Sequence, residues 1–278
     1  MRFDGVLLFL HIPKTGGTTL TNWIYDHCRT YEDSRLEEGY LVNGIYYFPG
    51  GFHQEAGAAI PGNVIGALVR PEIRAVVGHF SWGIHRYVKE PWMYVTLLRD
   101  PVDRLVSLYH HIRREKKSPL HEIVSDLSME DFVRHPLCRE VGNDQTRRIS
   151  GLDPESAAHS AFILRSAKEN LRRHVSVVGV TERFDETLVL IKRALGWIEE
   201  RCYLPNLVNR ERPSPASLSR RSIDAILERN EMDTKLHEFA TELLSQRVSE
   251  HGSDFDDELR RFRAANAAHV ARYGVPNW

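Results

Sequence analysis

A chain of 278 residues is long enough for one large domain or two small ones with a full core, and 42% hydrophobic with 27% charged residues is the balance of an ordinary soluble globular protein. A formal net charge of -1 excludes a general nucleic-acid binder, so any polyanion site must be a local concentration of Lys and Arg. Cys28, Cys138 and Cys202 show no CxxC spacing, which suggests neither a zinc site nor a disulfide framework and fits a reducing, cytoplasmic setting; the N-terminal apolar run, interrupted by Asp4, is too short for a signal sequence or a membrane span.

The run Val6 to Leu10 reads as a short buried strand, and Leu20, Trp23, Ile24 and His27 recur behind it at helical spacing. Between them lies the turn Lys14-Thr15-Gly16-Gly17-Thr18-Thr19. The first N–H groups of a helix have no partner inside it and point outward at the positive end of the dipole. Glycines let a bound group come close, Thr15, Thr18 and Thr19 add hydroxyl donors, and Lys14 adds a charge, so a P-loop-like phosphate-binding turn is expected. It is not a Walker A loop, because Lys14 precedes both glycines. An ordinary strand-to-helix turn with its lysine in water would read the same.

Residues 31–58, with Tyr40, Tyr46, Tyr47 and Phe52, show no sustained period and read as an excursion from the sheet, either one wall of an acceptor cleft or a satellite cluster under a long loop. A second buried strand is expected in Ala75-Val76-Val77-Gly78, with His79 at or just beyond its end, where ligands collect in open α/β sheets. A histidine satisfied by backbone near the core is the alternative. Trp82, His85 and Arg86 follow as candidates for shaping a sugar or phenol site.

Met93 to Leu98 form a third strand, and Asp100-Pro101 opens a helix running to about Lys117 on the stripe Val102, Leu105, Val106, Tyr109 and Ile112. Arg99 at the strand's end and Ser107 off that stripe are placed to grip one anion from two sides; Arg99 paired with Asp103 and a solvent-facing Ser107 is the competing reading. Ser128-Met129-Glu130-Asp131 is a capping box. The amide-rich segment Gly142 to Arg148 suits the lining of a site or a solvated loop, and a helix is expected from Asp153-Pro154 to about Arg173.

Val175 to Val180 is a fourth strand, followed by a helix with Leu188, Ile191 and Leu195 on its buried side. Strands alternating with helices predict an α/β fold, a doubly wound parallel sheet, in a single domain spanning 1–278 with its sheet core over about 5–200. The basic stretch 204–215, with Asn206, Asn209, Arg210 and Arg212, is either a loop that closes over an anionic cofactor or a linker. Residues 217–273 read as a helical C-terminal region with Leu236, Phe239, Ala240, Leu243 and Leu244 on its apolar face.

Pro13-Lys14-Thr15-Gly16-Gly17-Thr18-Thr19 and Leu98-Arg99-Asp100-Pro101 through Ser107 resemble the sulfotransferases that use 3'-phosphoadenosine 5'-phosphosulfate (PAPS). The segments Gly78-His79-Phe80-Ser81-Trp82, Val178 to Asp185 and Asn230 to Ala240 are similar to the glycan 2-O-sulfotransferase branch, with Val77 where that branch often carries the first histidine of His-Gly-His. The resemblance spans roughly positions 6–248. It implies that Lys14, Thr15, Gly16, Gly17, Thr18 and Thr19 hold the 5'-phosphosulfate, that Arg99 and Ser107 hold the 3'-phosphate, and that His79 is the general base with Lys14 beside the bridging oxygen. It also implies that the loop at Asn209 and Arg210 closes over the cofactor, and that the product is 3',5'-adenosine bisphosphate (PAP). The acceptor would be a hydroxyl of a sugar, glycan or small molecule, with no metal needed and no nucleic acid or membrane partner. Two rival readings stay open: an ATP- and Mg²⁺-dependent P-loop-type kinase using Asp100, and a non-catalytic binder of sulfated or phosphorylated ligands.

Overall fold

The computed structural model of the chain describes residues 2–28, 34–35, 40–48, 59–152, 160–205 and 217–274. Strand β1 (Val6–Leu10) is buried along its whole length, as expected of a central strand covered on both faces. It leads into helix α1 (Gly17–His27), whose Leu20, Trp23 and Ile24 pack into the core. Of the segment expected to leave the sheet, the described residues 34–35 and 40–47 instead join it, while Phe52 lies outside the described residues. Strands β2 (Ser34–Arg35), β3 (Tyr40–Val42) and β4 (Ile45–Tyr47) form the antiparallel edge of the sheet, with β4 pairing parallel to the next strand. The cause is the Asn43-Gly44 pair: both residues take left-handed φ, 50° and 77°, as a two-residue hairpin turn requires.

Helix α2 (Gly62–Leu68) precedes β5 (Ala75–Gly78), and β6 (Trp92–Leu98) leads to α3 (Pro101–Arg114). The short helices α4 (His121–Val124), α5 (Met129–Arg134) and α6 (Asp144–Ser150) follow, then α7 (Ser160–Arg173), β7 (Val175–Val180) and α8 (Phe184–Leu195). Helices α9 (Arg220–Arg229), α10 (Glu231–Glu250) and α11 (Ser253–Tyr273) make up the helical C-terminal region. The predicted start of α7 at Asp153-Pro154 lies outside the described residues.

Among the described residues seven strands lie in the order β2-β3-β4-β5-β1-β6-β7, with β4, β5, β1, β6 and β7 parallel. The connection leaving β1 runs toward the β4 side of the sheet, and the one leaving β6 runs the opposite way to β7. The direction reverses around β1, and the crevice at such a reversal opens at the carboxyl ends of the strands. The main core lies on this sheet. A second apolar cluster joins α3, α4, α5 and α9 through Leu105, Tyr109, Phe132 and Ile226.

Candidate active site

Four neighbouring parallel strands end at the same edge, and each delivers a polar residue just past its last pairing position. After β1 come His11 and the turn; after β5, His79; after β6, Arg99; after β7, Thr181. These residues line one cleft of about 910 Å³, together with Thr18, Thr19 and Ser107. The lysine-glycine turn and the Arg99/Ser107 pair, with Lys14 and Arg99 85 positions apart in sequence, therefore face a shared space.

The turn is built around two left-handed residues, Lys14 at φ 69° and Gly16 at φ 85°. A left-handed lysine is an uncommon and costly conformation, of the sort that persists where surrounding structure imposes it. The imposition is visible. The Thr15 main-chain oxygen lies 2.7 Å from the Thr181 hydroxyl, which also lies 3.0 Å from the Leu98 oxygen, and Arg99 donates to the Lys14 oxygen at 3.2 Å. Gly17 is fixed by close approach instead: a Cβ there would sit 2.0 Å from the His11 ring. Thr15 corrects the sequence expectation of three hydroxyl donors, since its side chain is fully buried and donates to the Ile12 oxygen at 2.9 Å. Thr18 and Thr19 line the cleft and Thr15 does not.

His79 has a determined tautomer. Its Nδ1 lies 2.8 Å from the main-chain oxygen of His11, and a carbonyl oxygen can only accept, so Nδ1 carries the proton and Nε2 the lone pair of the neutral ring. The His11 ring packs on the His79 ring at 4.4 Å between centroids and stacks on Phe9 at 5.3 Å. Burial, followed by the nearby His79, Arg148 and Lys14, pushes the His11 pKa well below the ordinary histidine value. A neutral His11 adds no positive charge to oppose a proton arriving on His79.

Arg99 combines an ion pair with a place in the cleft, and Ser107, which the competing reading has facing solvent, lines the same cleft. The Arg99 guanidinium is 3.6 Å from the Asp103 carboxylate, yet it lines the cleft beside Lys14 and is only partly exposed. Asp100 is accounted for locally: its Oδ1 accepts from the Asp103 N–H at 3.0 Å and caps α3. From α3, Ser107, His111 and Arg114 project on one face at i, i+4 and i+7, and all three line the cleft. Burial, then Lys14 and Arg114, lower the His111 pKa. Among the described residues, Lys14, Arg99, Arg114 and Arg139 face the cleft against one lining carboxylate, Glu140. The near-neutral chain thus holds a strongly cationic cleft.

Phe184 and Tyr203 supply aromatic lining near the turn, their rings 5.1 Å apart. Tyr203 is held by its hydroxyl to Asp185 at 2.8 Å and by its N–H to Asn266 at 2.7 Å. Asn209 and Arg210, and most of the basic stretch that contains them, lie outside the described residues.

Three expectations are corrected. Trp82 and His85 do not line the cleft; their rings pack among Trp92, Tyr94 and His174, and Arg86 is likewise absent from the lining. Tyr40, Tyr46 and Tyr47 belong to the sheet edge and do not wall the cleft either. The segment Gly142 to Arg148 is neither a lining nor a solvated loop: most of it is the buried helix α6. Asp233 of α10 accepts from the Gln145 and Thr146 N–H groups and the Thr146 hydroxyl, while Asn143 accepts from the N–H groups of Met232 and Asp233, so the two helices cap each other. Arg104, fully buried on α3, sits 3.7 Å from Asp144 and 4.0 Å from Asp233. His11 and α6 were missed because neither stands out in composition; a histidine one residue past a buried strand was the available signal for the first.

Residues 4–273 match the family model of galactose-3-O-sulfotransferase. Human heparan-sulfate 6-O-sulfotransferase 1 is 25% identical to the chain over 291 residues, covering 89% of this chain and 67% of that protein. The zebrafish heparan-sulfate 6-O-sulfotransferase 1-B is 26% identical over 289 residues, covering 88% and 67%. Mouse galactose-3-O-sulfotransferase 3 is 26% identical over 212 residues, covering 68% and 44%. The motif resemblance and these matches agree at the level of carbohydrate sulfotransferases, and they differ over the branch, 2-O in the motifs against 3-O and 6-O in the matches. Because the family match runs almost from end to end, the chain belongs to the galactose-3-O-sulfotransferase family of carbohydrate sulfotransferases.

Proposed function

We propose that the cleft binds PAPS and that the protein moves its sulfuryl group to a hydroxyl of a sugar or glycan, with His79 as general base. The observation that carries this reading is the delivery of Lys14, His79, Arg99 and Thr181 from four adjacent strand ends to one cationic cleft. The residues fit such a donor. The turn offers helix-start N–H groups, the Thr18 and Thr19 hydroxyls and the Lys14 ammonium to one anionic group. Arg99 and Ser107 offer a second anion site.

PAPS supplies an activated sulfuryl group whose bond to the phosphate oxygen breaks as a new bond to the acceptor oxygen forms. His79 takes the acceptor hydroxyl proton on Nε2, which is the nitrogen left basic by the Nδ1–H bond to His11. Lys14 and the N–H groups at the start of α1 meet the negative charge developing on the departing phosphate oxygen, in the manner of an oxyanion hole. His11, kept neutral, packs against the ring that becomes charged.

The acceptor reading extends to an acidic glycan. Arg114 and Arg139 add cationic surface beyond the residues assigned to the donor. A kinase reading is disfavoured by the family and by Asp100, whose carboxylate is used as a helix cap. Calorimetry with PAP and with ATP-Mg²⁺, followed by a screen of acidic and neutral glycan acceptors with labelled PAPS, tests the proposal. Binding of PAP and label transfer are expected. Binding of ATP-Mg²⁺ alone would remove the reading, and PAP binding without transfer to any acceptor would favour a non-catalytic binder.

A further inference from the structure

Helix α6 lines no part of the cleft, yet it holds the backbone on both sides of it. The Gln145 side-chain amide makes two hydrogen bonds with the main chain of Arg99: its Oε1 accepts from the Arg99 N–H at 3.0 Å and its Nε2 donates to the Arg99 oxygen at 2.9 Å. Arg99 lies one residue beyond Leu98, the last position of β6 paired with β7, so the amide stands in for a missing strand partner. One turn along α6, Arg148 donates to the main-chain oxygen of His79 at 3.0 Å, and its own main-chain oxygen accepts from the Trp82 N–H at 2.8 Å. His79 likewise lies one residue beyond its strand, β5.

The two anchors are three residues apart, about 4.5 Å of helix rise, on neighbouring faces of one short helix. That helix is itself fixed from behind. Asp144 accepts from the Arg148 Nε at 3.0 and 3.1 Å, and Asp233 caps the first turn from α10. Arg104 faces both carboxylates from α3.

We propose that α6 is the positioning element that sets Arg99 and His79 relative to each other, with Gln145 acting on the donor side and Arg148 on the base side. The inference rests on the donor and base roles proposed above. Neither Gln145 nor Arg148 is a catalytic residue; each works through the main chain of the residue it holds. Deleting a hydrogen-bond pair to a buried main chain frees that segment to shift, and loss of about one ångström of placement at a reacting group is enough to lower a rate substantially.

The experiment is a kinetic and calorimetric comparison of the full chain with Gln145→Met, Gln145→Glu, Arg148→Lys and Arg99→Ala. Met keeps the volume of Gln145 without either hydrogen bond, and Glu keeps one acceptor should the Met variant fail to fold. The expected result for whichever Gln145 variant folds is PAP affinity weakened about tenfold and a raised donor KM, with acceptor KM within about twofold. Arg148→Lys is expected to lower kcat about tenfold with PAP affinity held. A merely structural loss would lower the active fraction and move neither KM. PAP affinity within twofold of the parent in a folded Gln145 variant, or an unchanged kcat in Arg148→Lys, overturns the inference. An unchanged PAP affinity in Arg99→Ala overturns the donor reading instead.

Discussion

His79 donates its Nδ1 proton to the main-chain oxygen of His11 across 2.8 Å, and this one bond settles which ring nitrogen can act as a base. Replacing His79 with Ala is therefore expected to cut sulfuryl transfer by about 10²- to 10⁴-fold while PAP affinity stays near that of the parent. Single-turnover rates with labelled PAPS, alongside calorimetry, separate the two. A variant that keeps its rate would remove the base assignment.

In the proposed reaction Lys14 would face both the donor and the charge that leaves. Lys14→Ala should lower the transfer rate by about 10²- to 10³-fold, in the range seen when a single oxyanion donor is lost, and weaken PAP binding as well. Rate and affinity measured on the same preparation check this. A loss confined to affinity would place the lysine outside the charge-stabilising role.

Gly17 tests the packing that holds the two histidines. A methyl group there would meet the His11 imidazole at 2.0 Å, so the ring or the turn must move. Gly17→Ala is expected to destabilise the fold by about 1–3 kcal/mol through overpacking and to reduce kcat through the displaced His11–His79 pair. Thermal melting and steady-state kinetics report the two effects separately, and a parent-like kcat would show that the pair tolerates the shift.

Stability should fall as the solution is acidified through the histidine range. Burial is the largest cause lowering the pKa of His11, His27, His85 and His111 below the ordinary 6.5. The unfolded chain then binds protons that the folded chain refuses, so the stabilising contribution is complete above pH 6.5 and is lost as pH drops from 6.5 toward the lowered values. Melting temperatures measured from pH 8 to pH 5 should show a plateau and then a decline beginning near pH 6.5. A flat profile across that interval would contradict the assignment.

Arg104 is the guanidinium that faces Asp233 inside the protein, and it shares Asp144 with Arg148. Burial raises the Asp233 pKa and Arg104 is the leading influence against that rise. Arg104→Ala should cost about 3–5 kcal/mol, the usual penalty for stranding a buried carboxylate. Denaturant unfolding measures it directly, and a cost under about 1 kcal/mol would mean water or a rotated side chain replaces the guanidinium.

Much of this protein was readable from local pattern. Continuous apolar runs marked β1, β5, β6 and β7, the Asp100-Pro101 pair marked the start of α3, and Ser128 caps α5 as its spacing predicts. These features depend on neighbours within a few residues, and so did the residues that follow the strands, which is why Lys14, His79 and Arg99 could be named before any fold was in hand. The edge hairpin was also local in origin, written in Asn43-Gly44, but its short strands carry too few residues for a period to emerge.

The remainder depended on partners brought together from 46 to 166 positions away. Burial of α6, the hold of Gln145 on Arg99, the seat of Arg148 on His79 and the bridge from Thr181 to Thr15 all join distant stretches. A polar segment reads as solvent-facing until its partners are known, because hydrogen bonds to protein and to water are equivalent in sequence. The chain's own order of residues decided the chemistry on offer at the ends of the strands. Only the packing of the sheet, with α6 and α10 behind it, decided that those groups meet in one cleft, and it did so because buried donors and acceptors must find one another when water is excluded.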